Sequence, residues 1–157
     1  MSKIRFGIIG YGNIGKRHAR HILEHPEAEL RAVCEVPLFE KPMDFPDQIA
    51  FYDNIDKMLA EQELDVVNVC TPNYLHHPHT LQALAQKKHV VCEKPMALSS
   101  LQCEEMISSA KANDRSVFVV MQNRFNEPVQ QVKRLLEKDA LGKIYLININ
   151  CFWNRNE

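Results

Sequence analysis

Residues 4–15 read IRFGIIGYGNIG, and this stretch decides the fold. A short apolar run, Ile4–Ile9, stops at a cluster of glycines, and a helical pattern follows at once. Only 5 glycines occur in the whole chain, and four of them lie within the first fifteen residues, which indicates a backbone requirement there. The cluster consists of Gly10, Tyr11, Gly12, Asn13, Ile14 and Gly15.

The spacing Gly-x-Gly-x-x-Gly between a strand and a helix is typical of a turn that binds the pyrophosphate of a dinucleotide. In such a turn Gly10 permits the tight bend, Gly12 lets the backbone approach the pyrophosphate, and Gly15 permits close packing of the helix on the strand. The N-terminus of the helix supplies free N–H groups and a partial positive charge for the same anion.

An acidic residue follows at the distance that such a site requires. Glu35 lies 20 residues beyond Gly15, at the end of the second apolar run, where a carboxylate accepts hydrogen bonds from both hydroxyls of an adenosine ribose. The alternative interpretation is an ordinary turn followed by a solvated acid, but strand, helix and acid in register favour dinucleotide binding. A carboxylate at this point repels a ribose 2′-phosphate, and no arginine follows nearby, so NAD is favoured over NADP.

Apolar runs and helical patterns alternate along the first 121 residues. The runs are apolar almost throughout, which suits strands covered on both faces of a parallel sheet. The sequence therefore predicts an α/β fold, a doubly wound parallel sheet of the Rossmann type, with a proline-rich loop over residues 37–46. The predicted strands are Ile4–Ile9, 30–34, 66–70, His89–Cys92 and 117–121, and the predicted helices are 14–23, 55–60, 80–86 and 101–112.

Composition excludes several classes of protein. The chain has 157 residues, of which 45% are hydrophobic and 25% charged, as in an ordinary globular domain. A formal net charge of −1 favours neither nucleic acid nor a membrane surface as a partner, and no apolar run is long enough to span a bilayer. Five cysteines without a Cys-x-x-Cys pair predict a reducing, cytoplasmic compartment. Three neighbouring histidines lack a cysteine or carboxylate at metal-ligand spacing, so no metal is predicted.

The pattern changes near Met121. We predict a dinucleotide-binding domain over residues 1–122 and the start of a second, α+β domain over residues 123–157. Within the second part an amphipathic helix precedes an alternating, strand-like segment, residues 144–151. That strand has no later partner in the chain, so we expect the remainder of the second domain to be absent.

Polar residues follow two of the predicted strands. Thr71, Pro72, Asn73 and His76 come after residues 66–70, and Glu93-Lys94-Pro95 comes after His89–Cys92. Ligands of open parallel sheets bind outside the carboxyl ends of the strands, so these side chains are expected at a binding crevice. Cys34, Cys70 and Cys92 also end predicted strands. They are expected as small buried apolar groups, or alternatively as alkylatable thiols that NAD would protect.

These motifs in this order, together with Gln122-Asn123-Arg124, resemble the Gfo/Idh/MocA family of oxidoreductases. The resemblance covers the whole chain. It implies an N-terminal Rossmann domain and a C-terminal antiparallel sheet, with NAD between them and a sugar or cyclitol carbon as the site of oxidation or reduction. It also implies a homo-oligomer that pairs through the second domain.

Carried onto this sequence, the resemblance implies roles for individual residues. Thr71, Pro72, Asn73 and His76 would flank the nicotinamide half of the cofactor, Glu93 would contact the ribose of that half, and Asn123 would belong to the same cofactor set. Lys94 would be the catalytic residue that reaches the substrate hydroxyl, with the Lys94–Pro95 peptide often cis. The family's other catalytic residues, an Asp and a His, belong to the absent domain, so this chain is expected to bind cofactor but turn over poorly.

The sequence leaves the substrate open. The segment from Thr71 to His76 is also similar to that of family members that oxidise a nucleotide-sugar uronate at its 3-position. Two rival functions remain at this stage, a non-enzymatic NAD-binding or regulatory module and an imine or enone reductase on the same fold.

Overall fold

The computed structural model of the protein describes residues 2–35, 45–150 and 152. The chain forms two compact units, which meet in sequence between Val120 and Met121. The first unit contains β1 (Ile4–Ile9), α1 (Asn13–Glu24), β2 (Ala28–Cys34), β3 (Ala50–Tyr52), α2 (Ile55–Glu61), β4 (Val66–Val69), a 3₁₀ turn (Asn73–Leu75), α3 (His76–Ala85), β5 (His89–Cys92), α4 (Ser100–Ala112) and β6 (Val117–Val119). The second contains a 3₁₀ turn (Gln122–Phe125) and α5 (Glu127–Glu137).

All six strands join one parallel sheet in the order β3-β2-β1-β4-β5-β6. Strand β1 pairs with β2 on one side and with β4 on the other, so the direction of the chain across the sheet reverses next to β1. Such a reversal opens a crevice at the carboxyl ends of the strands, where doubly wound proteins bind their ligands. The predicted α/β fold is confirmed.

Apolar side chains on both faces of the sheet explain why the strands lack polar alternation. Ile8 and Ile9 follow each other in β1 and are 0% and 2% exposed. Successive strand residues point to opposite faces, and the two side chains belong to different cores. Ile8 packs in the core that includes Ala19 and Ile22 of α1, whereas Ile9 belongs to the core that includes residues of α2, α3 and α4.

Helix starts follow the local sequence. The Ser99 hydroxyl accepts a hydrogen bond from the backbone N–H of Gln102 and so caps α4. Asn54 caps α2 in the same way through the N–H of Lys57 at 2.9 Å. Helix α3 begins at His76, two residues before Pro78, which occupies the first turn, where a missing N–H is tolerated.

One strand was not expected from the sequence, and two expectations either differ from the structure or concern residues that it does not describe. Strand β3 was not predicted, because three residues at a sheet edge are too few for a pattern. The proline-rich loop predicted for residues 37–46 lies, except for Phe45 and Pro46, outside the described residues. Residues 144–150 form no strand, contrary to prediction, since no described segment supplies the ladder of hydrogen bonds that a strand requires.

The amphipathic helix predicted after residue 122 is present as α5. Helix α5 has Pro128 in its first turn, and Val129, Val132 and Leu136 recur along it at helical spacing. In the described part of the chain, no helix is both long enough and apolar enough to cross a bilayer.

Candidate functional site

A cavity of about 570 Å³ lies at the carboxyl ends of the strands around β1. Most of the glycine turn, the acid after β2 and the turn after β4 line it together, although they are far apart in sequence. The predicted cofactor residues among its lining are Gly10, Gly12, Asn13, Ile14, Glu35, Thr71 and Pro72. This is the location that the strand order predicts for a dinucleotide.

The glycine turn leaves room for a ligand at one position only. Gly10 has a φ of +91°, and a Cβ there would lie 2.8 Å from the carbonyl oxygen of Cys70. A Cβ on Gly15 would lie 1.9 Å from the carbonyl oxygen of Gly10. Among the described residues, a Cβ on Gly12 would meet nothing within 4 Å. The first and third glycines are therefore required by the protein's own packing, whereas the space at Gly12 fits a pyrophosphate that approaches the backbone.

The start of α1 favours the same anion. Gly12 is the N-cap of α1 and has no side-chain oxygen with which to cap the first-turn N–H groups. The first turn of α1 also contains no acidic residue. Unpaired N–H groups and the positive end of the helix dipole therefore face the cavity at Gly12, as a phosphate site requires.

Glu35 is held against the glycine turn. Its carboxylate accepts a hydrogen bond from the backbone N–H of Tyr11, and its own N–H donates to the carbonyl oxygen of Tyr52 at 3.0 Å. Tyr11 therefore helps to shape the site without lining the cavity. The carboxylate stays at the end of β2, where a ribose would lie beside the pyrophosphate.

Sequence reasoning missed a second carboxylate on this side. Asp53 follows β3 and lines the cavity together with Glu35 and Ile55. Its charge, after burial and the charge of Glu35, contributes to raising the pKa of Cys34 to about 12. The signal in the sequence was an acid directly before the cap of α2, which carries little meaning until β3 is recognised.

The other end of the cavity is formed by the turn after β4. The Thr71 hydroxyl lies 3.2 Å from Nδ1 of His79, and both residues line the cavity. Burial, with a smaller effect from His76, lowers the pKa of His79, so this ring is neutral at neutral pH. Tyr74 and Leu75 add an aromatic and an apolar side chain to the same wall. Asn73 begins the adjoining 3₁₀ turn and does not line the cavity.

His76 lies between the turn after β4 and the turn after β5. It is 1% exposed and does not line the cavity. Its Nδ1 lies 2.7 Å from the carbonyl oxygen of Pro95, and its Nε2 lies 2.9 Å from that of Thr71. With both ring nitrogens engaged by backbone, His76 ties the turn after β4 to the turn after β5.

Glu93 and Lys94 lie at the carboxyl end of β5, outside the cavity lining. Glu93 is 9% exposed, and its two oxygens lie 3.0 Å from Nε2 of His18 and 3.1 Å from the backbone nitrogen of Lys94. Lys94 is exposed, and the Lys94–Pro95 peptide is cis, as the resemblance implied. Asn123 lies in the second unit.

Of the three strand-end cysteines, Cys34 and Cys92 are buried and Cys70 is half-buried. Burial raises the pKa of Cys70 well above its ordinary range and that of Cys92 to about 11. Cys34 and Cys70 line the cavity but remain protonated at neutral pH, which disfavours the alternative of alkylatable groups. Among the described residues, no three His, Cys, Asp or Glu side chains are arranged to hold a metal ion.

Comparison with known proteins identifies the fold's family. The family model described as an oxidoreductase family with an NAD-binding Rossmann fold matches residues 4–121. The chain belongs to the Gfo/Idh/MocA family. The cofactor of a Gfo/Idh/MocA domain of this kind is NAD, which agrees with the space at Gly12 and the carboxylate of Glu35.

Three relatives illustrate the range of the family. D-glucoside 3-dehydrogenase of Escherichia coli is 34% identical over 92% of this chain, and 2,7-anhydro-N-acetylneuraminate hydratase of the same organism is 30% identical over 98%. The crystal structure of the WlbA dehydrogenase from Chromobacterium violaceum, in complex with NADH and UDP-GlcNAcA, superposes with a TM-score of 0.93 at 34% identity over 99% of this chain. The chain spans only 42%, 40% and 46% of the length of these three proteins.

Proposed function

We propose that this chain is the cofactor-binding part of an NAD-dependent dehydrogenase that acts on a hydroxyl-bearing carbon of a sugar, nucleotide sugar or cyclitol. The observation that carries the proposal is the cavity at the reversal of strand order, where the open space at Gly12, the start of α1 and the Glu35 carboxylate meet. The dehydrogenase relatives support the reaction type.

Each end of the cavity suits one part of the cofactor. First-turn N–H groups of α1 bind the pyrophosphate next to Gly12. The Glu35 carboxylate accepts from the adenosine ribose hydroxyls, and the neighbouring Asp53 adds negative charge that opposes a 2′-phosphate. Thr71 and Pro72 form the wall on the nicotinamide side.

Lys94 is proposed to handle the proton of the reaction. Bound NAD supplies a hydride acceptor. When hydride moves between the substrate carbon and NAD, Lys94 would exchange the hydroxyl proton with the substrate oxygen, or its cation would polarise that oxygen as the charge on it changes. The exposed position of Lys94 at the carboxyl end of β5 leaves its side chain open to a substrate.

We further propose a nucleotide-sugar uronate, oxidised at its 3-position, as the substrate. The support is the likeness to the WlbA dehydrogenase, whose crystal structure contains UDP-GlcNAcA, and to a D-glucoside 3-dehydrogenase. On this proposal the chain's partner is a small molecule rather than nucleic acid or membrane.

Fluorescence titration of the 157-residue chain with NADH and with NADPH tests the cofactor site. We expect saturable binding with NADH preferred, and in Glu35→Gln a weaker affinity for NADH and a smaller preference over NADPH, because the ribose loses an ionised acceptor. Glu24→Gln, at the exposed C-terminal end of α1, is the matched control and should behave as the unaltered chain. Equal affinity of the unaltered chain for both cofactors would contradict the assignment of Glu35.

A further inference from the structure

A buried hydrogen-bonded chain connects α1 to the residue before Lys94. Nδ2 of Asn68, in β4, lies 2.9 Å from Nδ1 of His18, in α1. Nε2 of His18 lies 3.0 Å from Oε1 of Glu93, and Oε2 of Glu93 accepts from the backbone N–H of Lys94 at 3.1 Å. The side chains of His18 and Glu93 are only 14% and 12% exposed.

The orientation of the Asn68 amide sets the form of the His18 ring. An amide NH₂ group can only donate, so Nδ1 of His18 acts as the acceptor and the ring proton lies on Nε2. That proton points at a carboxylate, which can only accept when ionised. Asn68 is 4% exposed; its NH₂ group faces His18, and its Oδ1 is buried with no hydrogen-bond partner among the described residues. Donor and acceptor thus alternate from Asn68 to Glu93.

Both oxygens of Glu93 are occupied by this arrangement. A nearly buried carboxylate requires donors, and within the described chain the side-chain donor is His18. The second oxygen closes a short ring with the N–H of the next residue and therefore restricts the backbone from which the Lys94 side chain extends. Loss of His18 would free Glu93 to rotate towards water.

We propose that His18 is a positioning residue for Lys94: its imidazole, held in the Nε2–H form by Asn68, clamps Glu93 and thereby fixes the backbone at Lys94. The catalytic meaning of this clamp rests on the proposed function, in which Lys94 handles the substrate proton. The helix that offers its N-terminus to the cofactor phosphate thus also orients the lysine at the neighbouring strand end.

Hydrogen exchange of the Lys94 amide in the 157-residue chain, followed by NMR, tests the clamp. In His18→Leu we expect the Lys94 amide to exchange faster by roughly tenfold or more, since a hydrogen bond to a charged group is lost. His18→Gln, whose amide can donate from about the position of Nε2, should restore most of the protection. His21→Leu, which alters an exposed histidine of the same helix, is the matched control and should change nothing.

A second measurement does not depend on any variant folding. Nitrogen chemical shifts of the His18 ring in the unaltered chain should show a protonated Nε2 and an unprotonated Nδ1 at neutral pH. The Nδ1–H form, or unchanged exchange of the Lys94 amide in a folded His18→Leu chain, would overturn the inference. NADH titration of the same samples separates the two proposals: absent NADH binding contradicts the proposed function alone, whereas the ring and amide data decide the clamp.

Discussion

At the scale of single residues, Gly12 and Gly15 show that two glycines of one turn serve different purposes. An added Cβ at Gly15 would overlap the carbonyl oxygen of Gly10, at 1.9 Å, whereas one at Gly12 would contact no atom of the residues that the structure describes. Backbone atoms cannot rotate away as a side chain can, so a Cβ at Gly15 would require the whole turn to shift. The open space at Gly12 has a purpose only when a ligand fills it.

Alanine substitutions should therefore impair different properties, the stability of the chain at Gly15 and NADH binding at Gly12. We expect Gly15→Ala to lower the thermal stability of the chain severely. Gly12→Ala should cost less than about 1 kcal/mol, the scale of an N-cap change, yet weaken NADH binding by roughly tenfold or more, because the methyl group occupies the pyrophosphate position. Thermal unfolding and NADH titration measure the two effects, and undiminished NADH affinity in Gly12→Ala would place the phosphate elsewhere.

The strand-end cysteines give a prediction about reactivity. With the pKa raised to about 12 for Cys34 and about 11 for Cys92, from an ordinary 9.0, few thiolates exist at neutral pH. In the native chain we expect a thiol reagent to label these two cysteines, and Cys70, roughly 100-fold more slowly than in urea. Mass spectrometry of the peptides measures the rates, with the half-buried Cys103 as the internal comparison. Fast labelling that NAD slows would restore the alternative of reactive thiols at the cavity.

At the scale of elements, the turn after β4 is joined to α3 through side chains. Thr71 lies beside His79, and His76 connects the same turn to Pro95. The cavity wall at Thr71 is therefore fixed by the first helical turns of α3. A change that loosens His79 should alter both stability and the cavity.

The lowered pKa of His79 predicts how stability depends on pH. Because the folded state prefers the neutral ring, the unfolded chain binds more protons once the pH falls below the ordinary value of 6.5. The free energy of unfolding should therefore be undiminished above pH 6.5 and decline as the pH falls below it. In His79→Gln this decline should be smaller.

Urea unfolding at pH 7.5 and 5.5 measures the effect, with His21→Gln as the control for an exposed histidine. The difference between the two variants isolates His79 from the other histidines of the chain. An equal decline in both variants would show that His79 is protonated freely in the folded state.

At the scale of the whole molecule, stability depends on burial on both faces of the sheet. Helix α4 offers a matched pair of apolar residues, Met106 at 0% exposed and Leu101 at 64% exposed. Met106 packs in the larger core with residues of α2 and α3 and of the central strands. Leu101 lies in the first turn of the same helix.

We expect Met106→Ala to reduce the free energy of unfolding by about 2–5 kcal/mol, through lost transfer energy and the cavity left behind. Leu101→Ala should change it by less than about 0.5 kcal/mol. Denaturant unfolding of both variants measures the difference. Similar losses would mean that α4 is not anchored through Met106.

The division of the chain between Val120 and Met121 lies close to the predicted boundary after residue 122. The assignment of residues 123–157 to a second domain remains a proposal. Its amphipathic helix formed from local sequence alone, whereas the segment that alternates like a strand did not pair. Helices satisfy their hydrogen bonds internally, and strands depend on a neighbour.

Short-range features were determined by the sequence itself. The glycine turn and the runs that are apolar throughout depend on residues a few positions apart, and the structure contains both the turn and the parallel strands that they predict. The acid after β2 also lines the cavity with the glycine turn, because parallel strands bring their carboxyl ends to one edge.

Only the tertiary structure decided which polar groups face the cavity and which face each other. His76 lies within hydrogen-bond distance of two backbone carbonyl groups. Asp53 lines the cavity beside Glu35 because it follows β3, a strand too short to predict. His18 contacts Glu93, which is 75 residues away in the sequence. A sequence pattern indicates only which residues, a few positions apart, share one face of a helix or strand. Which donor satisfies a buried carboxylate is settled by the packing of helices on the sheet, since a buried charge must find its partners wherever the fold brings them.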